Sequence, residues 1–356
     1  MSANPASETR NGPRILVVRN DKIGDFMLAW PALALLRRAL PDARISVLVP
    51  GYTRELAQCC PWVDQVLLEP ADLGKVNGRE FDLLLTLFST PRIGWRGWRG
   101  RIALRVAPAT KWAQVFYNQR VRQRRSQSRK PEFEYNLELA AHAVRLLGGQ
   151  VADNPAPYWP LPSQERQAQR ERLAGRLELS AVQPWVFVHA GSGGSAVNLG
   201  VAQYAALIRR LDQAWPGETP PAWVLTAGPG EEALMRELLA RLKPDIKAVR
   251  GYVSSQGLAA FAQSLCAADV FVAGSTGPLH IAGALDVPTV GFFPAKRSAT
   301  SLRWRPCNGP GRTLAISAPQ SAAAEANPMA AIDVDQAALE IAEWYAALTR
   351  QPDIYG

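Results

Sequence analysis

The chain has 356 residues, of which 47% are hydrophobic and 20% charged, so it is long enough for two globular domains with separate cores. No apolar run approaches the roughly 20 residues that a membrane-spanning helix needs. Residues 1–13 lack the apolar core of a signal peptide, so we expect a disordered lead there and a cytoplasmic protein. The cysteines show no metal-ligand spacing, which argues against a zinc site.

The net charge of +9 is concentrated in one segment. Arg92–Lys130, the basic segment, contains twelve of the forty Lys and Arg residues and no Asp or Glu, so the rest of the chain is slightly acidic. Aromatic side chains, three of them Trp, are interleaved with this charge. The composition suits an anionic amphiphile, a membrane surface or nucleic acid, and equally a solvated loop and helix face.

The first half of the sequence predicts a βαβ unit, two further strands and a helix. The predicted strands are Ile15–Val18, Ile45–Val49, Val63–Leu68 and Phe81–Leu87, and the predicted helices cover 26–40 and 134–147. A Pro- and Gly-rich linker over 148–162 follows, and we place the first domain at 14–165.

The second half predicts three strands that each end in a small, polar or glycine-rich turn. These turns are His189–Ser195, Ala227–Glu232 and Gly274–Gly277. Parallel strands bring their carboxyl ends to one edge, and backbone N–H groups at a helix N-terminus favour an anionic phosphate there. We therefore expect a nucleotide-binding domain over 166–332. We expect residues 333–356 to form a terminal helix. Its apolar face needs a partner, and the first domain is one candidate.

Two places in the pattern could carry chemistry. Asp25 lies at the first strand-to-helix turn, where a carboxylate can take a proton from a substrate hydroxyl, although an Asp before a helix is also a common N-cap. A phosphate or diphosphate site is predicted near Thr276 and Gly277, with His280 one turn into the helix. A core histidine with satisfied hydrogen bonds is the alternative.

Other site classes find less support in the sequence. None of the glycine-rich turns matches the dinucleotide fingerprint or the P-loop, which argues against a dehydrogenase. The segment Asp333-Val334-Asp335 resembles a metal-binding DxD only superficially, because Asp is also favoured in the first turn of a helix. We therefore propose no metal site.

Together these segments resemble the lipopolysaccharide heptosyltransferases of glycosyltransferase family 9. The loop Lys22–Asp25 is similar to the family's N-terminal signature, and the turn His189–Ser195 to its HPGS-type turn. Ser275–Leu285 resembles the motif D-[ST]-G-x-x-H-x-x-A-A-L. The further similarities are Glu134-x-Asn136-Leu137, Gly228-Pro229 with Glu231-Glu232, and Arg303-Trp304-x-Pro306. The ordered match covers about residues 15–345.

The resemblance implies an α/β fold of the GT-B class, in which two Rossmann-like domains face each other across a cleft. It implies a glycosyltransferase that inverts the anomeric centre and needs neither a metal nor a cofactor. The C-terminal domain would bind ADP-heptose, and the N-terminal domain would receive a lipopolysaccharide core acceptor. The basic segment would suit a phosphate-bearing amphiphile at the inner membrane surface, and we expect no nucleic-acid partner.

The resemblance also implies roles for individual residues. Asp25 matches the general base that deprotonates the acceptor hydroxyl, and Gly24 lies in the same loop. One of Glu231 and Glu232 matches the acid near the adenosine, and we favour Glu232. Thr276, Gly277 and His280 match the donor diphosphate site, with Ser192 and Gly193 on its other side. Ser275 is a further expected substrate-binding residue.

Two positions depart from the family pattern. Val197 stands where a Lys or Arg usually follows the HPGS-type turn, and Ser275 stands where the motif has Asp. Arg19 or Lys22 could replace the missing cation at the donor phosphates; the hypothesis predicts that Lys22→Ala raises the donor KM. The departures keep two alternatives open, namely transfer of a different nucleotide sugar and a non-catalytic protein that binds a nucleotide sugar or lipid.

Overall fold

The computed structural model describes residues 12–194, 197–319 and 329–350. The expected disordered lead at 1–13 thus lies almost wholly outside the described residues, as does Ser195 of the second-half turn. The chain divides into two compact units. The first holds the described residues up to Arg124 together with Phe133–Asn154, and the second holds Arg125–Glu132 and the described residues from Pro155 onward.

The first unit is built on a six-stranded parallel sheet of order β3-β2-β1-β4-β5-β6. Its strands are β1 (Arg14–Val18), β2 (Arg44–Pro50), β3 (Gln65–Glu69), β4 (Leu83–Thr86), β5 (Leu104–Pro108) and β6 (Gln119–Val121). Its helices are α1 (Ile23–Met27), α2 (Trp30–Ala39), α3 (Arg54–Gln58), α4 (Pro91–Arg99) and α5 (Glu132–Leu146), whose first residue is grouped with the second unit.

The second unit contains another six-stranded parallel sheet, of order β12-β11-β10-β7-β8-β9. Its strands are β7 (Trp185–His189), β8 (Ala222–Thr226), β9 (Val249–Tyr252), β10 (Val270–Gly274), β11 (Thr289–Phe293) and β12 (Thr313–Ser317). Its helices are α6 (Ser163–Leu177), α7 (Val201–Gln213), α8 (Glu232–Leu242), α9 (Gly257–Ser264), α10 (Gly277–Ala284) and α11 (Val334–Arg350).

Both sheets have the doubly wound strand order of a Rossmann fold. The order reverses between β1 and β4 in the first sheet and between β7 and β10 in the second. The expected α/β class with two Rossmann-like units, as in GT-B proteins, is therefore confirmed. In such sheets ligands bind beyond the carboxyl ends of the strands at the point of reversal. The predicted loop of Asp25 follows β1, and the turns of Ser192 and Thr276 follow β7 and β10.

The central strands are hydrophobic along their whole length because parallel sheets are covered on both faces. Every residue of β4, β7, β8, β10 and β11 is buried. The terminal helix α11 contributes Ala338 and Ile341 to the core of the second unit, where it packs against α7. The apolar face of α11, for which the first domain was the expected partner, is thus buried within the second unit.

The structure differs from the predicted elements in three places. The helix predicted over 26–40 is interrupted at Leu28 and Ala29, because Pro31 lacks an N–H and its ring opposes a continuous helix. The sequence also predicts a strand at Ile246–Val249, whereas β9 begins at Val249. The basic segment contains α4 and the strands β5 and β6, so much of it belongs to the first sheet rather than to a loop.

Candidate functional site

The loop that follows β1 places a carboxylate beside a buried guanidinium. Arg19 is 3% exposed, and its guanidinium donates to Asp25, to Asp21 at 2.7 Å and to the Asn136 side-chain oxygen at 3.3 Å. Asn136 also donates to the Leu28 carbonyl at 2.9 Å, which ties α5 to the end of α1. Asp25 is therefore held in α1 by an ion pair whose cation is itself fixed by the sheet and by α5.

Neighbouring strands contribute polar side chains to the same edge of the first sheet. Glu69, the last residue of β3, accepts hydrogen bonds from Asn20 and from Arg92 of α4. The Tyr52 hydroxyl, just after β2, donates to the Asp21 carbonyl. Burial, followed by the charges of Asp21 and Asp25, raises the pKa of Tyr52. The loop after β1 is thus bound to the ends of β2 and β3.

These contacts bear on the residues expected to supply a cation. The Arg19 guanidinium is engaged with three partners inside the first unit, which favours a role in orienting Asp25. Lys22 is exposed at the residue before α1, and Gly24 is the second residue of that helix. Of the two candidate cations, Lys22 is the more exposed.

In the second unit, one carboxylate joins the turns after β7 and β8. Glu231 accepts a hydrogen bond from Gly193 N–H at 2.6 Å and another from Gly228 N–H at 2.9 Å. Its Oε2 also lies 3.3 Å from His189 Nε2. A Cβ on Gly191 would come within 2.1 Å of the same carboxylate, so any larger residue there would displace the Glu231 side chain.

The carboxylate in the middle of these turns is that of Glu231, whereas the sequence analysis favoured Glu232. Glu232 is the first residue of α8, where an acid favours the helix dipole. The hydrogen bond from His189, with its charge and the two glycine N–H groups, lowers the pKa of Glu231 to about 2. Gly193, expected at a phosphate, donates its N–H to this carboxylate, and the half-buried Ser192 precedes it.

Asn198 occupies the region where the family pattern has a cation. Its side-chain amide donates to the carbonyls of Ala190 and Gly191 at 2.9 and 3.2 Å, and its oxygen accepts from the Tyr204 hydroxyl at 2.7 Å. A Cβ on Gly274, the last residue of β10, would lie 2.5 Å from that oxygen. Asn198 therefore braces the β7 turn against β10, while Val197 is exposed.

The turn after β10 presents two buried polar atoms. Thr276 Oγ1 and His280 Nδ1 have no hydrogen-bond partner among the residues that the structure describes, although each side chain is buried. Both lie at the start of α10, whose first residue is Gly277, and the half-buried Ser275 precedes them. A buried polar atom without a partner is costly, so a ligand atom is the natural partner for this pair.

Burial lowers the pKa of His280 to about 4, so its imidazole is neutral at neutral pH. A neutral ring donates from one nitrogen and accepts at the other. The Trp304 ring lies 6.5 Å from the His280 ring, centroid to centroid, and the Trp304 N–H donates to the Ser298 carbonyl. The loop after β11 is thereby joined to the start of α10.

Sequence reasoning overlooked the contacts of Asn198 across the β7 turn and the contact of His189 with Glu231. Each residue lies at the carboxyl end of a predicted strand or just beyond its turn, and that position was the available signal. The described ranges contain no group of three or more His, Cys, Asp or Glu placed to hold a metal ion.

Comparison with known proteins gives consistent matches. The family model described as glycosyltransferase family 9 (heptosyltransferase) matches residues 83–325. A Haemophilus influenzae protein named "Putative glycosyltransferase" is 42% identical over 337 residues, which are 92% of this chain and 95% of that protein.

Several solved structures share the fold. The family 9 glycosyl transferase of Veillonella parvula DSM 2008 superposes with a TM-score of 0.74 at 14% identity, over 96% of this chain and 99% of its own. The ADP-heptose lps heptosyltransferase II of E. coli superposes with a TM-score of 0.71 at 17% identity, over 94% of this chain and 99% of its own. The E. coli heptosyltransferase WaaC, solved with ADP, superposes with a TM-score of 0.68 at 15% identity, over 93% of this chain and 99% of its own.

Proposed function

The chain belongs to glycosyltransferase family 9, the heptosyltransferases, and from this premise we propose that it moves a heptose from ADP-heptose to a hydroxyl of a lipopolysaccharide core acceptor. The observation that carries the proposal is the pair of buried polar atoms of Thr276 and His280 at the start of α10, which have no hydrogen-bond partner within the described part of the chain. E. coli heptosyltransferase WaaC, which has the same fold, has solved structures with ADP and with ADP-2-deoxy-2-fluoro heptose.

In the proposed reaction, the acceptor hydroxyl attacks the anomeric carbon while the bond from that carbon to the diphosphate oxygen breaks. The leaving ADP gains negative charge in the transition state. The N-terminus of α10, the Thr276 hydroxyl and the neutral His280 ring supply hydrogen bonds and a partial positive charge to it. Glu231, which orders the turns after β7 and β8, is our candidate for the acid near the ribose of the adenosine.

Asp25 is the proposed acceptor of the proton from the attacking hydroxyl. Its carboxylate is 13% exposed and paired with Arg19, so its orientation is fixed before a substrate binds. An ionised carboxylate in a fixed position can act as a general base and contribute about 10²- to 10⁴-fold to the rate. Asp25→Asn should lower kcat by that factor and leave the ADP-heptose Kd unchanged.

The first experiment is a calorimetric titration of the protein with ADP-heptose, ADP and a UDP-sugar at one salt concentration. We expect the two adenosine ligands to bind and the UDP-sugar not to bind. Thr276→Val combined with His280→Phe should abolish that binding, while Thr300→Val, a change outside the α10 turn, should keep it. Absence of ADP-heptose binding would overturn the proposed donor.

A different nucleotide sugar is the second candidate, because Val197 and Ser275 remove a cation and a carboxylate from the donor motif. Binding of the UDP-sugar alone would favour it, and product mass from a panel of donors would identify the sugar. If the protein only binds its ligand and is not an enzyme, the natural chain and Asp25→Asn should both bind a donor, and neither should turn it over.

We also propose that the first unit contacts an anionic membrane surface through Arg92–Arg124, the part of the basic segment that belongs to it. Trp98 and Trp112 are 54% and 64% exposed, and both lie about 6 Å from the Phe116 ring, at 6.2 and 6.0 Å between centroids. Cations stand beside these aromatic side chains, as at Arg96 and Trp95. Exposed Trp with Arg or Lys is the composition of protein surfaces at the lipid headgroup level.

The lipid contact is tested by co-sedimentation with vesicles. We expect binding to vesicles containing phosphatidylglycerol and none to pure phosphatidylcholine, because each nearby cation adds about 1 kcal/mol at an anionic surface. Trp98→Ser with Trp112→Ser should release the protein, while Leu339→Ser, another exposed apolar position, should not. None of the helices in the described ranges is long and apolar enough to cross a membrane.

A further inference from the structure

A basic pocket of about 600 Å³ opens on the second unit, lined by Arg125, Ser126, Ser128, Lys296, Ser298 and Arg303. Three of the six lining side chains are cationic and the other three are hydroxyls, a set that donates hydrogen bonds to an anion. Lys296 and Ser298 belong to the loop after β11, so the pocket lies at the carboxyl edge of the second sheet, where ligands bind in this fold.

The two arginines of the basic pocket are fixed by a buried acid. Glu132 is 2% exposed in its side chain, and it pairs with Arg125 Nη1 at 2.7 Å and with Arg303 Nη2. Arg303 Nη1 also donates to the Arg125 carbonyl at 2.6 Å, and the Glu132 N–H donates to the Arg303 carbonyl at 2.8 Å. The side chains of Arg125 and Arg303 are only 14% and 13% exposed. The guanidinium groups are therefore oriented in advance.

The charge of this assembly favours an anion. Glu132 neutralises one of the two guanidinium groups, and the exposed Lys296 adds a further cation at the pocket. A tetrahedral oxyanion matches this arrangement, because guanidinium groups bind two of its oxygens side by side and Lys adds a point charge.

The basic pocket lies next to the start of α10 without sharing its residues. Trp304 follows Arg303 directly, its ring lies 6.5 Å from that of His280, and its N–H donates to the carbonyl of the pocket residue Ser298. The Arg303 guanidinium carbon stands 5.6 Å from the centre of the Trp304 ring. The indole thus separates the pocket from the two buried polar atoms of Thr276 and His280.

We propose that the basic pocket is a second phosphate site, which binds a phosphate monoester distinct from the donor diphosphate. Under the proposed function that phosphate is carried by the acceptor, which would be held beside the sugar donor. This assignment to the acceptor rests on the proposed function, whereas the binding of a phosphate in the pocket does not.

The test uses the full chain and glucose 6-phosphate, with glucose as the uncharged control, in calorimetry at low salt. We expect glucose 6-phosphate to bind and glucose not to bind. The affinity for glucose 6-phosphate should fall as salt is added and should be the same when ADP is saturating. Lys296→Ala combined with Ser298→Ala should weaken it about tenfold. Lys243→Ala, which removes an exposed lysine elsewhere on the second unit, should leave it unchanged.

These two substitutions are chosen because Arg303 variants would leave the charge of Glu132 uncompensated and so test folding as well as binding. Displacement of glucose 6-phosphate by ADP would assign the pocket to the donor diphosphate and overturn the proposal. Failure to bind, or equal binding by the double variant, would overturn it too.

A transferase assay separates the two proposals. We expect the double variant to raise the acceptor KM with the donor KM and kcat unchanged. An unchanged acceptor KM in an active enzyme would refute the assignment to the acceptor. Binding of glucose 6-phosphate to a protein that transfers no heptose would support the pocket and refute the proposed function.

Discussion

At the scale of single residues, the carboxylate of Glu231 determines the shape of the candidate donor site. It accepts hydrogen bonds from the N–H groups of Gly193 and Gly228 and lies in contact with His189. The side chain thus takes the place of a backbone acceptor for the N–H groups of the two glycine-containing turns. A carboxylate is a strong acceptor for such backbone N–H groups. The turn after β7 is consequently held by a side chain from the turn after β8, and the same carboxylate also binds Gly228 in its own turn.

We predict that Glu231→Gln destabilises the protein by about 1–2 kcal/mol at neutral pH, because an amide has one acceptor oxygen where the carboxylate uses two. The matched change Glu232→Gln should leave stability within about 0.5 kcal/mol, because no turn depends on it. Urea unfolding of both variants measures this. Equal effects of the two substitutions would contradict the role given to Glu231.

The same residue predicts a pH dependence. The pKa of Glu231 in the folded protein is lowered to about 2 from an ordinary value of 4.5, so its ionised form stabilises the fold above pH 4.5. That contribution is lost as pH falls from about 4.5 towards 2. The difference in unfolding free energy between the natural chain and Glu231→Gln should shrink across this window. A constant difference would show that the carboxylate is not specially stabilised.

At the scale of elements, α4 is an amphipathic helix with its small residues inward. Gly94 is buried against Phe116 and Tyr117, and Gly97 is buried against the sheet, where an added Cβ would lie 2.4 Å from Leu84 Cδ2 of β4. The large side chains Trp95 and Trp98 are on the exposed face. Close packing through glycine therefore brings the helix near the strand and leaves the aromatic side chains outside, where the proposed lipid contact needs them.

We predict opposite effects for two Gly→Ala changes in helices. Gly97→Ala should destabilise the protein by about 1–3 kcal/mol, because the added methyl overpacks against the buried Leu84. Gly175→Ala, in the last turns of α6 where the new Cβ meets nothing within 4 Å, should stabilise it by about 0.5–1 kcal/mol. Thermal unfolding compares the two, and a stabilising Gly97→Ala would refute the close approach of α4 to β4.

At the scale of the whole molecule, two units of the same topology have separate cores. The core of the second unit includes α11, which reaches it from the end of the chain and packs on α7. The basic pocket belongs to this unit although Arg125 and Glu132 lie, in sequence, between parts of the first. Chain order and unit membership therefore disagree at residues 125–132.

We predict that Ile341→Ala, at a fully buried position of α11, destabilises the second unit by about 2–5 kcal/mol. Hydrogen exchange should show loss of protection in β7 and β10 and little change in β1 and β4. Leu339→Ala, at an exposed position of the same helix, is the matched control and should leave protection in both sheets unchanged. Equal loss of protection in both sheets of Ile341→Ala would contradict separate cores.

The sequence predicted much of the fold because parallel α/β units carry strong local signals. The buried strands β1, β2, β7, β8 and β10 are continuous apolar runs, and their glycine-containing turns follow at once. The strands β5 and β6 gave no such signal, since Arg105 and Arg120 interrupt them and their places are set by the pairing of β5 with β4 and of β6 with β5. Sheet edges are decided by partners that lie far away in sequence.

The sequence by itself determined the α/β class, the positions of the glycine-containing turns and the family resemblance, because each depends on residues close together in the chain. Only the tertiary structure decided that Glu231 rather than Glu232 joins the turns, that Arg19 is engaged by Asp25 and Asn136, and that Arg125 meets Arg303. Those pairings join residues from separate elements, and side-chain direction after a turn is set by packing that no local pattern records.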